Sequence, residues 1–306
     1  MTRHVVDACF GAGIEQLVVV IGHGSEAVKR AVGSDVQYVL QEDQLGTGHA
    51  AMRAMPLIDR PYVLILPADT PLITSAALSM LMESHLDAGA AATLLTADLS
   101  DPGDYGRVVR GPDGSVERII EARDAPAAVL AIGEIATSIY CFDSSLLRES
   151  LAELGTDNAQ GEYYLTDTVE TLRRKGHTVR AMSAPDARDT LGINTGIELA
   201  EAAAIMRRRV LDALMLDGVT VVDPNTTYID ARVRIGRDSV IHPCTVIEGR
   251  TVVGTGCMVG PFAVLTDASL GDNVEVVFSA VARATLAVGA RVGPFEHIEG
   301  REVRNG

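Results

Sequence analysis

Apolar residues along the chain keep two different rhythms. Up to about residue 218, short apolar runs alternate with stretches whose apolar positions recur at helical spacing. LVVVIG (17–22), VQYVL (36–40) and YVLIL (62–66) predict buried strands. SEAVKRAVG (25–33), with Ser25 as N-cap, TGHAAMRAMPLI (47–58), with Gly48 in its first turn, and TSAALSMLMESHLDAG (74–89), capped by Thr74 and stopped by Gly89, predict helices. The alternation predicts parallel βαβ units and a Rossmann-like α/β sheet. Further on, RVVRGPDGSVERII (107–120) predicts a hairpin around Pro112-Asp113-Gly114, EIATSIYCFD (134–143) a strand, and YLTDTVETLRRKGH (164–177) a helix ended by Gly176. The GAG at 11–13 reads as a helix C-cap and turn. From 198 to 215, Leu199, Ala203, Met206, Val210 and Leu214 form one apolar stripe on a long helix, and Arg207 to Arg209 form its solvated face.

Beyond residue 218 the rhythm changes to six. Ile229, Ile235, Ile241, Ile247, Val253, Val259 and Leu265 keep that period, a five-residue step reaches Leu270, and Val276, Ala282 and Val288 resume it. Gly follows the aliphatic at 236, 254, 260, 271 and 289, which suits tight corners with positive φ. The pattern predicts a β-helix of hexapeptide repeats whose aliphatics share one core, with about eighteen residues per coil. Three parts result: an α/β domain over 1–197, a linking helix over 198–218, and about four coils of β-helix over 219–306.

Composition narrows the partners. The 306 residues are 47% hydrophobic, carry a net charge of −15 and contain four scattered Cys with no CxxC pair. The charge speaks against nucleic acid and anionic membrane as partners, so a phosphate-bearing substrate needs local help from a metal ion or backbone N–H groups. Neither a zinc site nor a disulfide framework is suggested. With no run of eighteen apolar residues and no signal-peptide pattern, the sequence predicts a cytoplasmic protein.

Candidate chemistry collects where predicted strands end. Asp69 follows YVLIL, held between Pro67 and Pro71; it reads either as a turn acid or as a ligand for Mg²⁺. Gln41 to Ala50 follows VQYVL, and its Gly46-Thr47-Gly48 lets backbone approach a ligand at a helix start. Asn194, just before the long helix, reads either as its cap or as an amide ligand for a metal.

Taken in order, QEDQLGTGHA, PADTPLI, DYGRV, IIEARDA, NAQGEYYLTD and GINT, followed by hexapeptide repeats, resemble one family. It is the bifunctional uridyltransferase/acetyltransferase family that makes UDP-N-acetylglucosamine, which joins a Rossmann-like nucleotidyltransferase domain to a left-handed parallel β-helix. The resemblance implies that Gln41, Gly46 and Thr47 read the uracil, with Pro67, Ala68 and Asp69 completing the nucleotide site. It implies sugar contacts at Gly106, Glu121 and Ala136, and Mg²⁺ on Asp69 and Asn194. The implied reaction joins UTP and a sugar-1-phosphate with release of pyrophosphate, for cell-envelope (peptidoglycan) precursor synthesis. A homotrimer through the β-helix is implied as well.

Three departures qualify this. The family opens with a loop of the form LAAGxGTRMxSxxPK, whereas this chain begins MTRHVVDACFGAG, similar to the family's next helix. Its two lysines, Lys29 and Lys175, fall on or near predicted helices, so no catalytic Arg or Lys is assigned and little turnover is expected. Ala136 stands where the family has a sugar-contacting Asn, and neither His242 nor His297 matches the family's acetyl-transfer His. Beside the uridyltransferase reading stand a non-catalytic nucleotide-sugar-binding or trimeric scaffold protein and, ranked last, a hexapeptide acyltransferase.

Overall fold

The computed structural model describes residues 1–303. They fall into two compact units, Met1–Asn194 and a second that begins at Thr195. The first unit runs α1 (Thr2–Gly11), β1 (Val18–Ile21), α2 (Ser25–Val32), β2 (Gln37–Leu40), α3 (Thr47–Ala54), β3 (Tyr62–Ile65), α4 (Ser75–Ala88) and β4 (Ala92–Asp98). It continues β5 (Arg107–Arg110), β6 (Val116–Ile120), α5 (Ala127–Leu130), β7 (Glu134–Asp143), α6 (Ser144–Leu151), α7 (Asp167–Arg174) and β8 (Val179–Ser183).

The α/β unit has the expected parallel pairs and, beyond them, an antiparallel part. β1 and β2 pair in parallel as a two-stranded sheet, and β4 pairs in parallel with β8. The ten-residue β7 is antiparallel to β3, β4 and β5. The reason is its approach: β7 arrives through the β5–β6 hairpin, and antiparallel neighbours need no helical crossover. Opposite Leu94 and Thr96 the register of β7 shifts at Ser138, whose φ of 60° marks a bulge. β4 is buried on both faces, so its apolar run ATLL shows no alternation. One side packs Leu94, Tyr140 and Phe142; the other packs Leu95, Ile139 and Leu81. A cavity of about 790 Å³, walled by Val18 to Val20, Tyr62 to Leu66 and residues of α1 and α3, lies beside the two-stranded sheet.

Capping chemistry sets the helix ends. The Thr74 hydroxyl accepts the Ala77 N–H at 3.2 Å, and Gly89 closes α4 at φ 54°. Ser25 is not the cap of α2; Gly24, at φ 71°, holds that position and Ser25 is the first helical residue.

In the second unit, α8 (Gly196–Leu216) starts with a capping box. The Thr195 hydroxyl accepts the Glu198 N–H at 3.2 Å, and the Glu198 carboxylate accepts the Thr195 N–H at 2.8 Å. Thr195 is therefore the cap, and the capping reading of Asn194 falls. The expected stripe is also corrected. Leu199 is 48% exposed, while Ala202 and Leu211 are buried, because only the C-terminal end of α8 (Val210, Leu211, Leu214, Met215) packs on the β-helix core. Arg207 lies over the Tyr228 ring at 4.5 Å and Arg208 pairs with Asp212, so the triple Arg is not merely solvated.

Among the described residues the β-helix has three parallel sheets of five strands each, so its coils number nearly five rather than four. Ile229, Ile247, Leu265, Val281 and Ile298 stack inward on one sheet. Val281 and Leu286 take the inward places expected for Ala282 and Val288, and Val288 is 58% exposed. The coil spacing has shortened from 18 residues (Ile229 to Ile247) to 16 (Leu265 to Val281, Leu270 to Leu286), which moves the inward position back by one at Val281 and by two at Leu286. Gly236 does not adopt a positive φ. It is needed for close stacking, since a Cβ there would sit 2.7 Å from the Gly254 backbone. Among the described residues no helix is long and apolar enough to cross a membrane.

Candidate active site

The loop after β2 is held by backbone from a distant segment. Gln41 Nε2 donates to the Gly46 carbonyl at 3.1 Å and meets His49 Nδ1 at 3.0 Å. Gly46 adopts φ 100° and ψ 178°, a region open in practice only to glycine. A Cβ there would also meet the Tyr163 carbonyl at 2.7 Å. Gly48 N–H donates to that same carbonyl at 2.8 Å, Tyr163 N–H to Leu45 at 2.9 Å, and Leu165 N–H to the Thr47 hydroxyl at 3.1 Å. QLGTGHA and EYYLTD are thus zipped together, and one fixes the other.

Asp69 lies in the turn after β3, where the Thr70 hydroxyl donates to the Pro67 carbonyl at 3.1 Å. Its own carbonyl accepts the Ile193 N–H at 3.0 Å. A Cβ on Gly192 would lie 3.5 Å from Asp69 Oδ2, so the 191–194 turn sits directly against this carboxylate. The Tyr105 hydroxyl accepts the Gly192 N–H at 2.7 Å. Asn194, next in the chain and exposed, is brought from far along the sequence to the neighbourhood of Asp69.

Gly106 and Glu121 meet on the hairpin. A Cβ on Gly106 would stand 3.3 Å from Glu121 Oε2, so glycine leaves that carboxylate open. Glu121 Oε1 accepts the Thr166 hydroxyl at 2.9 Å. Burial pushes the Glu121 carboxyl up, against the lowering effect of Thr166, and Asp124 adds to the rise. Asp167 is pushed up to about 6 by burial and by Glu170, Glu121 and Asp124. Ala136 is 3% exposed, with its N–H on the Gly106 carbonyl at 2.9 Å; its methyl belongs to the core beneath Gly106. Thr47, Pro67, Ala68 and Glu121 all line the 790 Å³ cavity; Gln41, Gly46, Asp69, Gly106, Ala136 and Asn194 are not on its wall.

Among the described residues no group of three or more His, Cys, Asp or Glu could hold a metal alone. One carboxylate with one amide oxygen is the donor set of a hard cation that completes its shell with water and substrate phosphates, and Asp69 with Asn194, whose turn is bonded to the Asp69 carbonyl through Ile193, supply those donor types.

Residues 1–195 match the nucleotidyl transferase family, and residues 232–267 match the six-repeat bacterial transferase hexapeptide family. The bifunctional protein GlmU of Geobacillus sp. (strain WCH70) is 44% identical over 300 residues, covering 97% of this chain and 65% of its own length. The GlmU of Halalkalibacterium halodurans is 43% identical over 97% of this chain and 66% of its own. The GlmU of Carboxydothermus hydrogenoformans is 41% identical over 307 residues, 100% of this chain and 69% of its own.

The chain belongs to the GlmU family of nucleotidyl transferases. It spans slightly less than two thirds of the length of the first two of these relatives.

Within that GlmU-type domain, sequence reasoning missed Tyr105, Thr166 and Tyr164. All three lie inside motifs already singled out, DYGRV and NAQGEYYLTD. Tyr164, buried at 6% and bonded through its hydroxyl to Gln160 Nε2 at 3.0 Å, gave no local signal beyond an aromatic inside NAQGEYYLTD. Lys29 and Lys175, the two lysines, are engaged by Glu26 at 2.9 Å and Glu153 at 2.6 Å.

Proposed function

We propose that the first unit is a uridyltransferase site that joins UTP and N-acetylglucosamine-1-phosphate to give UDP-N-acetylglucosamine and pyrophosphate, with Mg²⁺ as cofactor. The single observation that carries the reading is that the loop after β2 and the turn after β3 border one cavity, with the 191–194 turn bonded to the second of them. The Gln41–Thr47 loop is bonded to Tyr163 and Leu165, the Asp69 turn is bonded to the 191–194 turn, and Thr47, Pro67 and Ala68 line one cavity.

In this reading Gln41, Gly46 and Thr47 bind the uracil through backbone and side-chain polar groups held in one conformation. Glu121, kept close to Gly106, accepts hydrogen bonds from sugar hydroxyls. Asp69 and Asn194 hold Mg²⁺, which when bound neutralises charge on the phosphates. The chain's own contribution is positioning: the base, the sugar and the phosphates are fixed by separate rigid turns, as phosphoryl chemistry requires. The buried methyl of Ala136 leaves sugar recognition to Glu121 and the backbone of Gly106.

The second unit serves as an assembly stalk for a homotrimer. Tyr228 and Val264, 52% and 41% exposed, lie on the outer side of one sheet of the β-helix and supply apolar surface for it. A mass of three chains by light scattering at micromolar concentration is expected. The protein works in the cytoplasm, where its nucleotide substrate is found.

The reading is tested by calorimetric titration with UDP-N-acetylglucosamine and ADP-glucose, beside pyrophosphate release from UTP and N-acetylglucosamine-1-phosphate with Mg²⁺. Saturable binding of the uridine compound at least tenfold tighter than the adenosine one is expected. Equal affinity for the two removes the role given to Gln41–Thr47.

A further inference from the structure

Arg107 is a cation held 3% exposed at the start of β5, and its side-chain bonds go to backbone. Its guanidinium donates to the carbonyls of Gly103 (2.9 Å), Leu130 (3.4 Å) and Tyr105. Arginine suits this because one rigid fork serves several acceptors at once, which a lysine ammonium does not. Two of the carbonyls it gathers belong to the 103–105 turn and the third, Leu130, anchors that turn to the end of α5, so the buried fork fixes the backbone from which the Tyr105 side chain projects.

That side chain reaches across 87 positions to Gly192, whose N–H it accepts at 2.7 Å. Ile193 N–H, the next amide along, is on the Asp69 carbonyl at 3.0 Å. On Gly192, an added Cβ would be 3.6 Å from the Tyr105 hydroxyl and 3.5 Å from Asp69 Oδ2. The phenol and the carboxylate therefore bracket the same glycine. Between Tyr105 and Arg107 stands Gly106, against Glu121 on the sugar side.

We propose that Tyr105, seated by Arg107, is a positioning residue for the metal pair: it fixes the 191–194 turn, and with it Asn194, against Asp69. The tripeptide Tyr105-Gly106-Arg107 then sets the distance between the metal pair and the sugar-holding carboxylate Glu121. Neither Tyr105 nor Arg107 touches a substrate in this account. The inference rests on the assignment of Asp69 and Asn194 as metal ligands made above.

Mn²⁺ alone is the probe, read by loss of its free-ion EPR signal on titration with the full chain, with amide hydrogen exchange over 191–194 as a second readout. Tyr105→Phe keeps the ring and removes the acceptor. Its Mn²⁺ affinity is expected to fall about tenfold, in the range usual for residues that support metal ligands. Exchange at Gly192 and Ile193 is expected to quicken while that of β4 stays unchanged. Asp69→Ala is expected to abolish the binding. If Tyr105→Phe binds Mn²⁺ as the parent does while Asp69→Ala does not bind, the positioning role is overturned and the metal assignment stands. If Asp69→Ala binds as the parent does, the metal assignment itself fails. Should Tyr105→Phe fail to fold, the parent decides: Mn²⁺ must slow exchange at Gly192 and Ile193, and no slowing overturns the proposal.

Discussion

The β-helix and the α/β unit solve the problem of bringing backbone close to backbone in opposite ways. In the β-helix each coil meets the next at nearly the same spacing, and Gly236 stacked on Gly254 is one instance of a contact that the repeat makes over and over. In the α/β unit each close approach is used once. Gly46 against Tyr163 and Gly192 against Asp69 join segments far apart in the chain, Gly106 against Glu121 closes the open end of one hairpin, and each borders a candidate site residue. Repetition builds a core without chemistry; the single approaches place the chemistry.

Substitutions can break this division, beginning with the largest effect. Asp69→Ala should lower any Mg²⁺-dependent pyrophosphate release about 1,000-fold, some 4 kcal/mol of barrier, with the melting temperature nearly unchanged. Equal turnover by both proteins would remove Asp69 from the chemistry. Ile247→Ala should do the reverse. Ile247 is fully buried in the stack, so its truncation should destabilise the β-helix by about 3 kcal/mol in denaturant titration. Binding of UDP-N-acetylglucosamine should stay within about twofold of the parent, well under 1 kcal/mol. Gly46→Ala should touch both properties. Its glycine-only backbone and the Tyr163 carbonyl predict a cost of about 2 kcal/mol in stability together with weakened uridine-nucleotide binding, read by melting and calorimetry.

The smallest effect is a pH dependence. Asp167 titrates at about 6 in the folded protein, above the ordinary Asp range near 4. The folded state therefore binds more protons than the unfolded state between those values, and stability falls as pH rises from about 4 to about 6. Asp167→Asn removes that loss. Because Asp167 is only half-buried, the expected gain at pH 7.5 is about 1 kcal/mol, shrinking toward pH 4. A gain that is equal at both pH values would show that the carboxylate's charge is not the cause.

The same contrast explains what the sequence made legible. The six-residue period announced the β-helix, because parallel stacking demands the same residue type at each inward place. It failed only after Val276, where shortened coils moved Val281 and Leu286 inward and local spacing carried no sign of the change. In the α/β unit β1 to β3, the β5–β6 hairpin and β7 were readable from apolar runs, and α2, α3, α4 and α7 from helical spacing and caps, but β4, β8 and the direction of β7 were not. That direction follows from the β5–β6 hairpin delivering it, a long-range consequence that apolar pattern does not record. Asp69 and Gln41 stood out because polar groups at strand ends need a reason, and Glu121 through the resemblance alone. Tyr105 and Arg107 did not, because their partners are carbonyls and an amide that every residue possesses.

The central claim is that the zipped turns of the first unit hold a uridine nucleotide sugar. Amide hydrogen exchange with and without saturating UDP-N-acetylglucosamine tests it most directly. Slowed exchange confined to 41–48, 163–166 and 191–194 is the result predicted. Saturable binding that leaves those three segments unprotected, or that protects the β-helix instead, contradicts it.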